Sequence, residues 1–208
     1  DGDGAKTVYV QFRDHAGLVS TYSDTIILDT VQPTGSTTIA EGSVYTNSTS
    51  VTLTLSAEDA TSGVAQMRFS NDNATWTPWE PYSTFKTWTL ITGDGTKTVY
   101  VQYRDNAGLT SPTYQDTIIL DTTKPTANAG QDQTVNEDML VTFNGSASWD
   151  GNGIASYTWT FTDVTPKTLT GEKPTYVFNT PGIYTVTLKV VDAAGNWAVD
   201  TVVITVLD

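Results

Sequence analysis

The sequence predicts an all-β protein, built as tandem β-sandwiches in a rod-like array. Three observations carry that reading. A long stretch is written twice: Gly2 to Leu18 (GDGAKTVYVQFRDHAGL) returns as Gly93 to Leu109 (GDGTKTVYVQYRDNAGL). The words that follow, Thr21-Tyr22-Ser23-Asp24-Thr25-Ile26-Ile27-Leu28-Asp29-Thr30, return as Thr113-Tyr114-Gln115-Asp116-Thr117-Ile118-Ile119-Leu120-Asp121-Thr122. A self-match separated by roughly 90 residues marks repeated modules. Apolar residues also recur at every second position in short runs bounded by Gly, Pro, Asn and Asp, and no segment has helical periodicity.

Composition narrows the function classes. The 208 residues give one or two domains, each able to bury its own core. Ten basic against 23 acidic side chains leave a net charge of −13. That field repels nucleic acid and anionic membranes, and it suits a solvated surface protein or one that collects cations. Cysteine is absent, so disulfides and thiolate metal sites are excluded. No apolar run approaches the roughly 18 residues of a membrane helix, and no signal peptide is present. The chain reads as a mature segment or as a piece of something longer.

Residues 1–31 predict two strands and a turn. From Lys6 to Arg13, Val8, Val10 and Phe12 fall on one face and Tyr9, Gln11 and Arg13 on the other. Asp14-His15-Ala16-Gly17 is the turn, and Tyr22–Leu28 the return strand. The internal copy identifies this hairpin as the last part of a module. A lone hairpin is marginal in water. It is ordered either by resting on its neighbour or by strands from another chain, in the manner of β-augmentation.

Residues 32–124 contain the complete copy. Strands are predicted at Val51–Leu55, Val64–Phe69 and Thr87–Leu90, then over the repeated hairpin, with Ser70-Asn71-Asp72-Asn73 as a turn. Seven or so short strands separated by turns indicate an antiparallel sandwich of immunoglobulin type. Residues 125–208 keep the rhythm with different words. Strands are predicted near Val141–Phe143, Ser156–Phe161, Tyr176–Phe178, Tyr184–Val191 and Thr201–Val206, so this is a second sandwich. The connectors Leu28–Pro33 and Leu120–Pro125 are short, carry a proline and lack a Gly/Ser tract, which favours extended, semi-rigid linkage.

Two family resemblances follow from these words. Ser62-Gly63-Val64, Trp76-Thr77-Pro78-Trp79 and Asp105-Asn106-Ala107-Gly108 resemble Ig-like repeats of large bacterial and archaeal surface proteins. Phe143-Asn144-Gly145-Ser146-Ala147-Ser148, Asp150-Gly151-Asn152-Gly153-Ile154, Tyr157-Thr158-Trp159, Pro181–Leu188 and Val191–Asn196 resemble a PKD (polycystic kidney disease) domain. Where that family usually has Trp-Asp-Phe-Gly-Asp-Gly, this chain has Trp159-Thr160-Phe161-Thr162-Asp163-Val164. The aromatic pair is kept and the acidic glycine turn is lost. The resemblances imply stalks, spacers and adhesive units of surface-layer proteins and secreted hydrolases.

The acidic residues gather where loops meet. Loops of an immunoglobulin-type sandwich alternate between its two ends. Modules strung head to tail bring Asp3 and Asp29 toward Glu58, Asp59, Asp105 and Asn106. One module later, Asp94 and Asp121 approach Asp150, Asn152, Asp192 and Asn196. Hard oxygen donors in such numbers are what calcium takes. The same residues are also ordinary turn formers, and no contiguous EF-hand loop exists. Trp76, Trp79, Tyr82, Phe85 and Trp88 form the densest aromatic cluster. Trp76, Trp79 and Tyr82 serve either as a polysaccharide platform or as core and cross-strand packing. Sequons place candidate glycosylation at Asn47, Asn73 and Asn144.

Catalysis finds no support. The one histidine, His15, is Asn106 in the sister copy, and no Ser-His-Asp set or phosphate-binding glycine loop can be assembled. The expected role is a non-catalytic structural or adhesive segment of an extracellular cell-surface or filament protein. Its partners are neighbouring Ig-like modules of the same or another chain, with no nucleic acid and no membrane insertion. The alternative is a carbohydrate-binding accessory module of a secreted hydrolase.

Overall fold

The computed structural model describes residues 2–208; residue 1 of the opening hairpin lies outside the described residues. Among the described residues strands make up the regular structure, with a single 3-10 turn at Ala40–Gly42. In chain order the first ten are β1 (Gly4–Arg13), β2 (Val19–Leu28), β3 (Thr34–Ile39), β4 (Tyr45–Thr46), β5 (Ser50–Glu58), β6 (Val64–Ser70), β7 (Glu80–Pro81), β8 (Phe85–Thr89), β9 (Gly95–Asp105) and β10 (Tyr114–Leu120). The remainder are β11 (Gln133–Asn136), β12 (Leu140–Thr142), β13 (Ile154–Asp163), β14 (Thr165–Thr170), β15 (Thr175–Val177), β16 (Gly182–Asp192) and β17 (Trp197–Leu207). The chain divides into two compact units. One runs through Val44 and takes in Ser50–Ile91 and Thr96–Ile118; the other comprises Tyr45–Thr49, Thr92–Gly95 and Ile119–Asp208.

In the first unit β3-β5-β8 form one sheet, and β10-β9-β6-β7 lie in another. Inward positions follow the strand period of two. Ile39, Val51, Leu53 and Leu55 from one sheet meet Met67, Phe69, Val99, Val101, Tyr103 and Ile118 from the other, and all are buried. Tyr103 is fully buried. Its hydroxyl donates to the Ser36 carbonyl at 2.6 Å, and burial pushes its phenol well above the ordinary tyrosine range. Gly35 makes this fit possible: a Cβ there would lie 2.5 Å from both the Ser56 carbonyl oxygen and the Tyr103 ring. Asp116 closes the sandwich by accepting the Ile39 backbone N–H at 2.7 Å.

The opening hairpin has a different environment. β1 and β2 pair antiparallel, with Val8 opposite Asp24, Val10 opposite Tyr22, Phe12 opposite Ser20 and Lys6 opposite Ile26. One face therefore carries Val8, Val10, Phe12, Tyr22, Ile26 and Leu28, all exposed. Their counterparts Val99, Val101, Tyr103, Ile118 and Leu120 are buried. The same words lie under a second sheet in the complete copy and open to solvent in the first.

In the second unit the main sheet runs β11-β17-β16-β13-β14, and β12 pairs with β15. Its core gathers Val141, Phe143, Trp159, Phe161, Phe178, Val186, Leu188, Val190, Val202, Ile204 and Val206. Phe143 stacks on Trp159 with ring centres 5.3 Å apart, and the Trp159 indole N–H donates to the Gly171 carbonyl at 3.0 Å. Asp200 accepts the Ala129 N–H at 2.8 Å, the same closure that Asp116 makes in the first unit.

The strand rhythm predicts antiparallel sandwiches, and the structure departs from that at two edges. β4 runs parallel to the end of β10, and β11 parallel to β17. In each case a short early strand lies along the edge of the last long one, which caps an otherwise open row of backbone donors.

Candidate functional site

Most of the carboxylates singled out by the sequence hold turns. Asp105 starts a turn in which its own N–H reaches the Leu109 carbonyl, the Gly108 N–H reaches the Asp105 carbonyl, and Asp105 Oδ1 accepts the Leu109 N–H at 2.8 Å. Asp14 and Asp192 repeat all three bonds, to Leu18 and Asn196. Gly17, Gly108 and Gly195 take φ near +90° in the same turn, which is why each copy spends a glycine there. Asp59 Oδ1 gathers the N–H groups of Thr61, Ser62 and Gly63, at 3.2, 2.8 and 2.9 Å. The Ser62 N–H is the largest influence holding the Asp59 carboxyl below the usual range.

Two groups of three aspartates emerge. One carboxylate oxygen each from Asp29, Asp59 and Asp105 lie within 4.8 Å of one another, and so do those from Asp121, Asp150 and Asp192. The groups correspond position by position: the residue after the module's last strand, the Asp of the following loop, and the Asp of the glycine turn. Asp29 and Asp121 each use Oδ1 to hold the N–H two residues on, both at 3.1 Å.

The second group is threaded by amides. Asn152 Nδ2 donates to Asp121 Oδ2 at 2.8 Å, and Asn196 Nδ2 reaches both the Asp121 carbonyl and Asp192 Oδ2. In the first group Asp29 Oδ2 and Asp105 Oδ2 are buried with no hydrogen-bond partner. Asn106 directs its amide to the Ser62 and Gly63 carbonyls instead.

Asp3, Asp94 and Glu58 stand outside both groups. Asp3 accepts from the Thr30 hydroxyl, and Asp94 from the N–H and hydroxyl of Thr122 and the hydroxyl of Thr123. The threonines after each last strand capture these carboxylates before they can join the groups. The Thr123 hydroxyl is the largest influence on Asp94, whose pKa is lowered to about 2. Glu58 is exposed at the end of β5.

The aromatic cluster separates into three contacts. The Arg68 guanidinium lies 4.8 Å from the Trp76 ring centre and 4.6 Å from that of Trp79, and Arg104 lies 4.1 Å from Trp79. The rings of Trp76 and Trp79 thus alternate with guanidinium planes, a cation–π stack that sequence reasoning missed. The pairing of β6 with β9 sets Arg68 and Arg104 on adjacent strands, which the sequence alone did not give. Tyr82 packs edge-on to Tyr103 and its hydroxyl accepts the Ala57 N–H, while Trp88 packs on Phe69 and donates to Asn71. Asn47, Asn73 and Asn144 are all exposed, and so is His15 in its turn.

Comparison with known proteins bears on the fold. Residues 122–206 match the family model of the PKD domain. Among solved structures, the fibronectin(III)-like modules of CbhA from Clostridium thermocellum superpose with a TM-score of 0.51 at 13% identity, over 82% of this chain and 94% of theirs. A 1.5-MDa bacterial ice-binding adhesin aligns with a TM-score of 0.41 at 17% identity, over 100% of this chain and 76% of the adhesin structure. No curated protein matches the chain.

Proposed function

We infer that this chain is a non-catalytic structural or adhesive segment of an extracellular protein, a spacer that holds other modules apart or joins them. The observation that carries this reading is two β-sandwiches in series, preceded by a hairpin that repeats part of the first. One strand–turn–strand word occurs twice, and a PKD match follows it. PKD and fibronectin-like modules are typically non-catalytic, and PKD domains are usually extracellular or at the cell surface. The loop carboxylates hold their own turns, and the exposed sequons are compatible with an outward-facing protein. No helix among the described residues is long and apolar enough to cross a membrane.

The test is retention on insoluble polysaccharides alongside light scattering of the full chain. A spacer passes through cellulose and chitin unretained. Specific retention, lost in Trp79→Ala without loss of folding, overturns the reading in favour of a carbohydrate-binding accessory module.

A further inference from the structure

We propose that Asp29, Asp59 and Asp105 bind one divalent cation, and that the cation is calcium. The three carboxylate oxygens already stand within 4.8 Å of one another. Oxygens bound to one calcium at about 2.4 Å can be no farther apart than about 4.8 Å, so the spacing is that of a shared ion.

The two buried oxygens carry the inference beyond proximity. Asp105 is 2% exposed and Asp29 9% exposed, and each leaves Oδ2 without a donor. A buried carboxylate oxygen with no partner is costly unless a charge meets it. No basic side chain does so. Among the described residues the ion pairs are Lys86–Glu80 and Lys173–Glu172, and Arg104, next to Asp105, turns to Trp79.

The turn by itself does not require burial, since Asp14 makes the same bonds while exposed on a hairpin that no second sheet covers. Asp105 makes them under a second sheet, with carboxylate oxygens of Asp29 and Asp59 within 4.8 Å of its own. The second group makes a useful contrast, because Asn152 and Asn196 supply N–H donors to its oxygens; the inference is confined to the first. Calcium suits the site better than magnesium. The ligands come from three separate loops and are all hard oxygens, whereas magnesium demands a near-ideal octahedron and keeps its waters. The three carboxylates supply part of the six to eight oxygens, and water completes the shell.

The experiment is calcium titration calorimetry on the full chain, paired with thermal unfolding in millimolar calcium, in magnesium and in chelator. The wild type binds calcium and melts higher in calcium than in chelator, with little response to magnesium. Asp105→Asn keeps the Oδ1 acceptor for Leu109 and loses about tenfold or more in calcium affinity. Asp29→Asn, outside the strands of the sandwich, does the same and covers the case in which Asp105→Asn fails to fold. Asp14→Asn, in the matching turn, retains the wild-type response. An unchanged melt between calcium and chelator overturns the proposal. So does a calcium response that survives in Asp29→Asn, or one that is lost in Asp14→Asn.

Discussion

Ile26 and Ile118 are the same letter in the same word, and replacing each with alanine separates covered from uncovered sheet. Ile118 is 2% exposed, within the core formed by Ile39, Leu53 and Phe69; Ile26 is 69% exposed on the β1–β2 hairpin. Ile118→Ala removes three buried carbons worth about 0.8 kcal/mol each in transfer. With the cavity left behind, the expected loss is about 3–4 kcal/mol. Ile26→Ala forfeits only the shielded third of that transfer and leaves no cavity, for a loss under about 1 kcal/mol. Urea unfolding of the full chain, followed by tryptophan fluorescence, reads the difference, because Trp88 packs on Phe69 in the same core. Ile118→Ala moves the midpoint far to lower urea and Ile26→Ala leaves it nearly in place. Equal shifts would refute the reasoning, since they would mean that the hairpin face is covered in solution as thoroughly as its twin.

Three further expectations rest on single positions. Val164 sits at the β13–β14 turn with φ +58°, a left-handed conformation that a β-branched residue rarely adopts, and it is 92% exposed. Val164→Gly should therefore raise the melting point, by about 1 kcal/mol of stability; no gain would show that the turn carries no strain. Gly35→Ala forces a methyl against the Ser56 carbonyl and the Tyr103 ring and should cost about 2–3 kcal/mol or more in denaturant unfolding, against near neutrality for alanine at Gly2, where no atom lies within 4 Å of the added methyl and φ is not positive. Asp94 has its folded pKa lowered to about 2 against about 3.9 unfolded. Its contribution to stability is present above the unfolded value and is lost as pH falls toward 2. A Thr122→Val, Thr123→Val double variant should show a weaker fall of melting point over that acid range, and an unchanged slope would remove Asp94 from the account.

The strands legible in the sequence were those whose own side chains alternate. β5, β6, β9, β13, β16 and β17 place apolar residues at every second position, and each formed where the pattern put it. β3, β11 and β14 are short and rich in Thr, Gln and Lys. They exist because a long neighbour offers its backbone: Thr37 and Ile39 are buried only once β3 lies against β5. The two parallel edges had no local signal, since a strand's direction relative to a partner many residues away is not written in its own letters. At the candidate site, the alternation of loops put Asp29 near Asp59 and Asp105, and Asp121 near Asp150 and Asp192, and the structure places the carboxylates of each group within 4.8 Å of one another. The sequence could not show that Thr30, Thr122 and Thr123 would draw Asp3 and Asp94 aside. Nor could it show that Arg68 and Arg104 would face Trp76 and Trp79, because cross-strand register decides both.

A spacer, as inferred here, must be built of sandwiches that unfold independently under load. Stretching single molecules of the full chain between fixed handles tests it most directly. The expected result is two discrete unfolding steps, each lengthening the tether by roughly 300 Å less the span of the folded module, the contour being that of roughly 85 residues at about 3.6 Å per residue. A chain that lengthens smoothly under low force, or gives way in a single step, would contradict it.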